Sequence, residues 1–261
     1  MPVNRIFVTI TFLGTGTSQG VPVIACNCDT CKSQDPRDKR LRTSLLVEIN
    51  DLNIVIDAGP DFRQQMLREN VTRLDAIFLT HEHKDHIAGM DDVRAFNYKT
   101  RDAIDIFAEE RVLRAVQKEY SYVFAEIQYP GIPKMRLNNI LPGKFSFKGL
   151  QIIPVRVYHR TLPIYGFRIG DFAYITDADS VPDESMELLN GVKYLVINAL
   201  RKEKHISHFN LQEAVNFITE ISPYQAFLTH VSHQMGRYAL ISRELPAGIL
   251  LAHDGMKVVL E

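Results

Sequence analysis

Thr80-His81-Glu82-His83-Lys84-Asp85-His86 sets four side chains able to bind metal within six positions, directly after the apolar run Ala76-Ile77-Phe78-Leu79. Side chains alternate along a strand, so a strand ending here points His81 and His83 to one side. The turn that follows brings Asp85 and His86 round to face them. Two imidazoles for one cation and a carboxylate–imidazole pair for a second are donors that suit a two-metal hydrolase. The plainer alternative is a polar loop with surface histidines. Three His and an Asp at H-x-H-x-D-H spacing argue against it.

A dinuclear site needs more donors, and three stand at the ends of strand-like runs: His159, Asp177 and His230. Each alone is unremarkable, since a strand-end His is usually a surface or hydrogen-bonded residue and an Asp there is often a cap. Their common placement behind the first motif makes them candidates, because strand ends and the loops after them carry function on a rigid scaffold.

Cys26, Cys28 and Cys31 are all the cysteines of the chain. An odd, clustered set with no export signal argues against a disulfide framework and for metal. Three thiolates need a fourth ligand to close a tetrahedral zinc. His233, three residues after His230, is the best candidate, with helix capping as its alternative role.

The elements that must position these groups are short and alternate. Runs rich in Val, Ile, Phe and Tyr predict strands at 6–12, 44–49, 53–57, 76–80, 104–108, 150–158, 166–169, 173–176, 194–198, 226–229 and 248–252. Helices are expected at 61–69, 110–120, 211–221 and 233–244. In the third, Leu211, Ala214, Val215 and Ile218 recur at the helical period, with Asn210 as N-cap. Ile77-Phe78-Leu79-Thr80-His81 and Ala226-Phe227-Leu228-Thr229-His230 echo one another, two strands each closing on Thr-His. The expected class is α/β (α+β): two mixed β-sheets packed face to face with helices outside, as a single domain over 1–261.

The chain has 261 residues, a formal net charge of −1 and 46% hydrophobic residues, enough to bury a sizeable core. No block of like charge suggests a nucleic-acid or membrane surface. Apolar runs such as 194–200 are too short to span a bilayer, and the first five residues lack the apolar core of a signal peptide. The expectation is a cytoplasmic protein.

H-x-H-x-D-H followed by a His, an Asp and a His at successive strand ends resembles the metallo-β-lactamase superfamily, with its αββα sandwich. The resemblance covers essentially the whole chain. It implies that His81, His83 and His159 hold one divalent metal, that Asp85, His86 and His230 hold another, and that Asp177 bridges both, with hydroxide shared between the ions as nucleophile. Asp57, in Ile56-Asp57-Ala58-Gly59, matches the first motif Asp, which supports the ligands rather than joining them. A carboxylate at Asp177 suits Mn²⁺ as well as Zn²⁺.

Gly14-Thr15-Gly16-Thr17-Ser18-Gln19-Gly20-Val21-Pro22, the cysteine cluster, Asp57-Ala58-Gly59-Pro60-Asp61-Phe62-Arg63 and Asp91-Asp92-Val93-Arg94 are similar to the PhnP-type phosphodiesterases. That likeness implies one structural zinc on Cys26, Cys28, Cys31 and His233, a homodimer, and hydrolysis of a small cyclic phosphodiester to a phosphomonoester. The expected substrates are 2′,3′-cyclic nucleotides or a ribose 1,2-cyclic phosphate. The run from His205 to Ala214 resembles a motif shared with the tRNA 3′-processing members. There, a His before a helix pairs with the motif Asp and protonates the leaving oxygen. His208 takes that role with Asp85, and His205 contacts substrate.

The Gly14–Gly16 turn could offer N–H groups to phosphate, although a tight turn explains it equally well. Three other readings rank lower. A tRNA 3′-endonuclease often carries a long arm between the positions of His159 and Asp177, and only 160–176 lie between them here. A basic RNA-binding patch is also missing from the composition, so nucleic acid beyond nucleotides is not expected. A thioester hydrolase needs a helical substrate-binding region after His230, where the chain has room for about one helix and one strand. A non-catalytic protein of this fold would have lost metal ligands.

Overall fold

The computed structural model describes residues 8–126 and 129–260. The reading of the first five residues, and the first two positions of the strand expected at 6–12, lie outside them. The described strands run in chain order: β1 (Val8–Gly14), β2 (Ser44–Ile49), β3 (Leu52–Ile56), β4 (Ala76–Phe78), β5 (Ile104–Ala108), β6 (Met135–Asn139), β7 (Phe145–Phe147), β8 (Leu150–His159), β9 (Leu162–Ile169), β10 (Phe172–Tyr174), β11 (Tyr194–Asn198), β12 (Gln225–Thr229), β13 (Ile249–Leu251) and β14 (Lys257–Leu260). The described α-helices are α1 (Asp29–Lys32), α2 (Phe62–Arg68), α3 (Lys84–Ile87), α4 (Arg94–Thr100), α5 (Glu110–Glu119), α6 (Asp183–Leu189), α7 (Leu211–Ile221) and α8 (Tyr238–Glu244). None is long and apolar enough to cross a membrane.

The chain divides into two compact units, residues 1–14, 43–140 and 255–261 in one and 15–42 and 141–254 in the other. The first holds a seven-stranded sheet in the order β14-β1-β2-β3-β4-β5-β6. Its pairings are antiparallel from β14 to β3 and parallel from β3 to β6. Asn50 and Asp51, both at positive φ (49° and 60°), make the two-residue turn of the β2–β3 hairpin. Asn and Asp tolerate that left-handed geometry, which matches strand twist. Alternate strand residues Leu46, Val55, Ile77 and Ile106 share a core with Phe62 and Met66 of α2, Phe96 of α4, and Val112 and Val116 of α5.

The second unit holds a seven-stranded sheet in the order β13-β12-β11-β10-β9-β8-β7. Here β10 to β13 are parallel and β7 to β10 antiparallel. Leu195 and Ile197, Ala226 and Leu228, and Ile249 and Leu251 project at period two into a core shared with Leu189, Ala214, Phe217, Ile218 and Ile241. α7 begins as expected: Asn210 Oδ1 accepts from Glu213 N at 2.8 Å and Glu213 Oε2 accepts from Asn210 N at 3.0 Å. This closes a reciprocal cap over two orphan amides.

Two expectations need correction. The helix expected at 233–244 is broken: a single 3₁₀ turn covers His233–Met235, and α8 starts only at Tyr238. Gly236, at φ 108°, turns the chain between them. The strand expected from Gly166 starts at Leu162, with Gly166 inside it. A Cβ at Gly166 would lie 2.7 Å from the Tyr174 carbonyl oxygen, so the glycine permits the close approach of β10 rather than ending a strand. β6, β7, β14, α4 and α6 went unanticipated because their apolar runs are short or interrupted by polar residues.

Candidate metal centres and their supports

In the first unit the H-x-H-x-D-H run leaves the end of β4. His81 is fully buried, with Nδ1 2.9 Å from Thr80 Oγ1 and Nε2 3.0 Å from His83 Nδ1. Imidazole nitrogens on a tetrahedral zinc, each about 2.0 Å from the ion, stand about 3.3 Å apart. The pair is therefore gathered as a shared cation requires. α3, a single turn, carries Asp85 and His86, and His86 Nε2 lies 3.3 Å from Asp85 Oδ2.

Asp57 holds this arrangement from behind. It follows β3 in left-handed geometry, φ 63°, and is fully buried. Its Oδ2 takes His86 Nδ1 at 2.7 Å, and its Oδ1 accepts from the Thr80 amide at 2.8 Å. Burial pushes the Asp57 carboxyl upward in pKa, while His86 and Thr80 pull against it. With Nδ1–H donated to Asp57, His86 keeps the Nε2 lone pair for a ligand. Gly59 and Gly89 complete the support. A Cβ on Gly59 would sit 1.9 Å from the Asp85 carbonyl oxygen, and one on Gly89 would sit 1.9 Å from the Gly59 carbonyl oxygen.

In the second unit the strand-end donors gather with the histidines before α7. His159 closes β8 and its Nδ1 lies 2.7 Å from the Ser207 carbonyl oxygen; that oxygen only accepts, so Nδ1–H donates and Nε2 is available. Asp177 is buried at φ 59°; its Oδ1 lies 2.6 Å from Thr176 Oγ1 and 2.9 Å from His230 Nδ1. His208 Nε2 lies 3.3 Å from Asp177 Oδ2, a partner not foreseen in the sequence. Ligand atoms of His159, Asp177 and His208 all fall within 4.8 Å of one another. His205 Nδ1 is 3.1 Å from His208 Nδ1. Burial, then the neighbouring His208, lowers the His205 pKa and favours its neutral form.

Two supports escaped the sequence reading. Asn198, fully buried at the end of β11, accepts from the Ala178 amide at 2.8 Å and donates to the Ala178 carbonyl at 2.9 Å, pinning the residue after Asp177. The signal was an amide closing the apolar run Tyr194-Leu195-Val196-Ile197. Thr17 Oγ1 lies 3.0 Å from His230 Nε2. The glycine-rich loop around it is structural: Gly16, Thr17 and Gly20 spend their amides on Leu41, Val231 and Thr17 carbonyls.

The cysteine cluster also lies in the second unit. Cys26 Sγ and Cys28 Sγ are each 3.3 Å from His233 Nδ1, and all four ligand atoms fall within 4.8 Å of one another. Zinc–sulfur bonds of about 2.3 Å and zinc–nitrogen bonds of about 2.0 Å set S···N edges near 3.5 Å, so the set fits one tetrahedral zinc. The Cys31 amide, then His233, draws the Cys28 thiol down to about 6, whereas burial pushes Cys31 up to about 11.

A family profile described as a β-lactamase superfamily domain matches residues 52–231. A crystal structure of a diphosphatase from the PhnP family superimposes with a TM-score of 0.90 at 40% identity, covering 97% of this chain and 98% of that one. The chain belongs to the PhnP family of the metallo-β-lactamase superfamily. Its fold class is that family's αββα sandwich. Among curated relatives, this PhnP-family chain is 39% identical over 253 residues to a Porphyromonas gingivalis protein named octanoyltransferase, covering 95% of the chain and 51% of that protein. It is 26% identical over 166 residues to a ribonuclease Z of Thermosynechococcus vestitus, covering 62% of the chain and 36% of that protein. The chain thus spans about half or less of the length of these relatives.

Proposed function

We propose that this chain is a metal-dependent phosphoric diester hydrolase that opens small cyclic phosphodiesters, such as 2′,3′-cyclic nucleotides or ribose 1,2-cyclic phosphate, to phosphomonoesters. The observation that carries the proposal is the imidazole of His208 set 3.3 Å from Asp177, among His159, His205 and His230. In the proposed site His81, His83 and His159 hold one divalent cation, Asp85, His86 and His230 hold the other, and Asp177 serves both. Bound cations of this kind, Zn²⁺ or Mn²⁺, neutralise phosphoryl oxygens and lower the pKa of a coordinated water toward neutrality.

The chain's own residues do the rest. Asp57 and the Ser207 carbonyl fix the tautomers of His86 and His159. Protonated His208 donates from Nε2 to the departing alkoxide, a contribution of about 10²–10⁴-fold for a placed general acid. Neutral His205 accepts from His208 Nδ1–H and keeps the ring oriented. The pairing of His208 with Asp85 implied by the sequence motif would use the same Nδ1–H and so stands as the alternative to the His205 bond, while contact of His205 with substrate belongs to the same proposal. Cys26, Cys28, Cys31 and His233 hold a structural zinc.

A second reading has a specific observation behind it, because the 40% identical PhnP-family relative is described as a diphosphatase. Cleavage of a P–O–P bond shares the metal chemistry and differs in the leaving group. A phosphate leaves with little help, since its second pKa is about 6, whereas a ribose alkoxide needs its proton. The test is turnover of 2′,3′-cyclic AMP and of ADP-ribose by protein loaded with Mn²⁺ or Zn²⁺, using wild type, Asp85→Ala and His208→Ala. Metal-dependent opening of the cyclic ester, lost in both variants, supports the first reading. Cleavage of ADP-ribose alone, with His208→Ala nearly as active as wild type, supports the second. Turnover of neither substrate by protein with full metal content refutes both.

A further inference from the structure

His230 is contacted at both ring nitrogens: Nδ1 lies 2.9 Å from Asp177 Oδ1, and Nε2 lies 3.0 Å from Thr17 Oγ1. The ring is buried, as is Thr17, so neither nitrogen has bulk water to fall back on. A neutral imidazole carries one N–H and one lone pair, and the two nitrogens therefore need opposite partners. The Asp177 carboxylate can only accept. Without a cation, Nδ1–H donates to Asp177 and the Nε2 lone pair needs a donor. When Nδ1 instead gives its lone pair to a cation, the proton moves to Nε2 and needs an acceptor. A hydroxyl can meet both demands by rotating about its C–O bond, whereas a methyl group, an amide N–H or a carboxylate cannot meet both.

We infer that Thr17 is a positioning residue for metal binding, its hydroxyl switching between donor and acceptor as His230 changes tautomer. The inference rests on the proposed role of His230 as a ligand and adds a residue to it. The backbone holds Thr17 in place for this task. Thr17 N donates to the Val231 carbonyl at 3.1 Å and Val231 N donates to the Thr15 carbonyl at 2.8 Å, so the loop is tied to the residue after His230. Thr15 is anchored in turn, its amide and hydroxyl donating to Asp254 Oδ1 at 2.9 and 2.7 Å, and its hydroxyl also accepting from the buried Arg40 guanidinium at 2.7 Å. The backbone at position 17 is therefore anchored, and the hydroxyl hydrogen turns about the Cβ–Oγ bond.

The experiment compares wild type, Thr17→Val and Thr17→Ser. Each is stripped of metal and titrated with Zn²⁺ against a chromophoric chelator, and the Co²⁺-loaded forms are examined by visible absorption. Loss of a partner that orients a metal-bound His typically costs 10–100-fold in affinity. Thr17→Val is expected to weaken one equivalent of metal by about that factor and to shift the Co²⁺ bands of that equivalent. The equivalent on the cysteines should stay tight. Thr17→Ser, which keeps the hydroxyl, should lie within about threefold of wild type, which separates the hydroxyl from the packing of its methyl group. The kinetic signature is a fall in activity at limiting metal that excess metal restores. Equal affinities and identical spectra for Thr17→Val and wild type would overturn the inference, as would an equal loss in Thr17→Ser. If wild type itself binds only the cysteine-held metal, the proposed function falls and this inference falls with it.

Discussion

Replacing Gly59 by alanine adds one methyl group at the point where the chain after β3 passes beneath α3. The added Cβ would lie 1.9 Å from the Asp85 carbonyl oxygen and 2.9 Å from its carbonyl carbon. A carbon and a carbonyl oxygen settle at about 3.3 Å or more, so the two backbones must part by more than about 1 Å. No flexible side-chain end can yield, because the obstructing atoms are main chain. The displacement falls on the turn that carries Asp85 and His86, and on the His86 bond to Asp57, 2.7 Å in the native arrangement. Misplacing reactive groups by about 1 Å costs about 10²-fold in rate, and overpacking costs about 1–3 kcal/mol. We therefore expect Gly59→Ala to fold with reduced stability and to lose about 10²-fold in metal-dependent turnover. Its weaker metal affinity should be measurable by chelator competition without any substrate. Urea denaturation, metal titration and turnover of a phosphodiester check the three parts. Activity and metal affinity both within threefold of wild type would show that α3 does not depend on this close approach.

Asp57→Asn keeps the shape but replaces an acceptor facing His86 with a group that can present N–H there. His86 then takes the other tautomer, and metal affinity should fall about 10–100-fold in a chelator competition; unchanged affinity would show that Asp57 does not set the tautomer. Cys28→Ser should remove one tightly held zinc per chain by metal analysis. Tm should fall as well, by about 2–4 °C for each kcal/mol lost in a chain of this size; retention of the full zinc content would sink the four-ligand assignment. Tyr120 donates to the Ile87 carbonyl at 2.7 Å, and burial pushes its phenol up to about 12. The folded state therefore holds this proton more tightly than the unfolded one, whose pKa is about 10. The stability it contributes is complete below pH 10 and declines as pH rises toward 12. Urea midpoints at pH 9 and 11.5 should differ less in Tyr120→Phe than in wild type, and an equal difference would remove Tyr120 as the cause.

The parts of this molecule that were legible in the sequence are those where one residue type admits one use. H-x-H-x-D-H, the C-x-C-x₂-C cluster and the alternation of β-rich runs with the amphipathic run at 211–221 each follow from local chemistry. Supports were harder to read, because their meaning depends on contacts far along the chain. Thr17 meets His230, and Asn198 meets the loop after Asp177, only through the sheet order of the second unit. Short polar strands such as β6, with the sequence Met-Arg-Leu-Asn-Asn, are held by ladder bonds to β5 rather than by their own pattern. Gly166 was misread for the same reason, since its neighbour across the ladder, not its own preference, fixes its place.

The echo between 77–81 and 226–230 also has a different meaning in the structure. In each unit a two-residue hairpin turn leads into the strand where pairing changes from antiparallel to parallel: Asn50-Asp51 into β3, and Gly170-Asp171 into β10. β3 therefore corresponds to β10, β4 to β11 and β5 to β12. His81 and His230 follow strands that do not correspond. The true counterparts are Asp57 and Asp177, each followed by alanine, each at the same remove from the first residue of its strand, and each left-handed, with φ 63° and 59°. A non-glycine residue in that conformation costs of order 1 kcal/mol or more and persists where the surroundings dictate it. Here the strand stops pairing, the chain turns sharply, and a buried carboxylate is delivered to nearby imidazoles: His86 for Asp57, His230 and His208 for Asp177. One backbone device is thus used twice for different ends. Asp57 is met at both oxygens, by His86 and by Thr80, which commits it to orienting ligands. Asp177 instead faces the imidazoles of His230 and His208, groups able to carry a proton or give a lone pair to a cation, with Thr176 Oγ1 beside it.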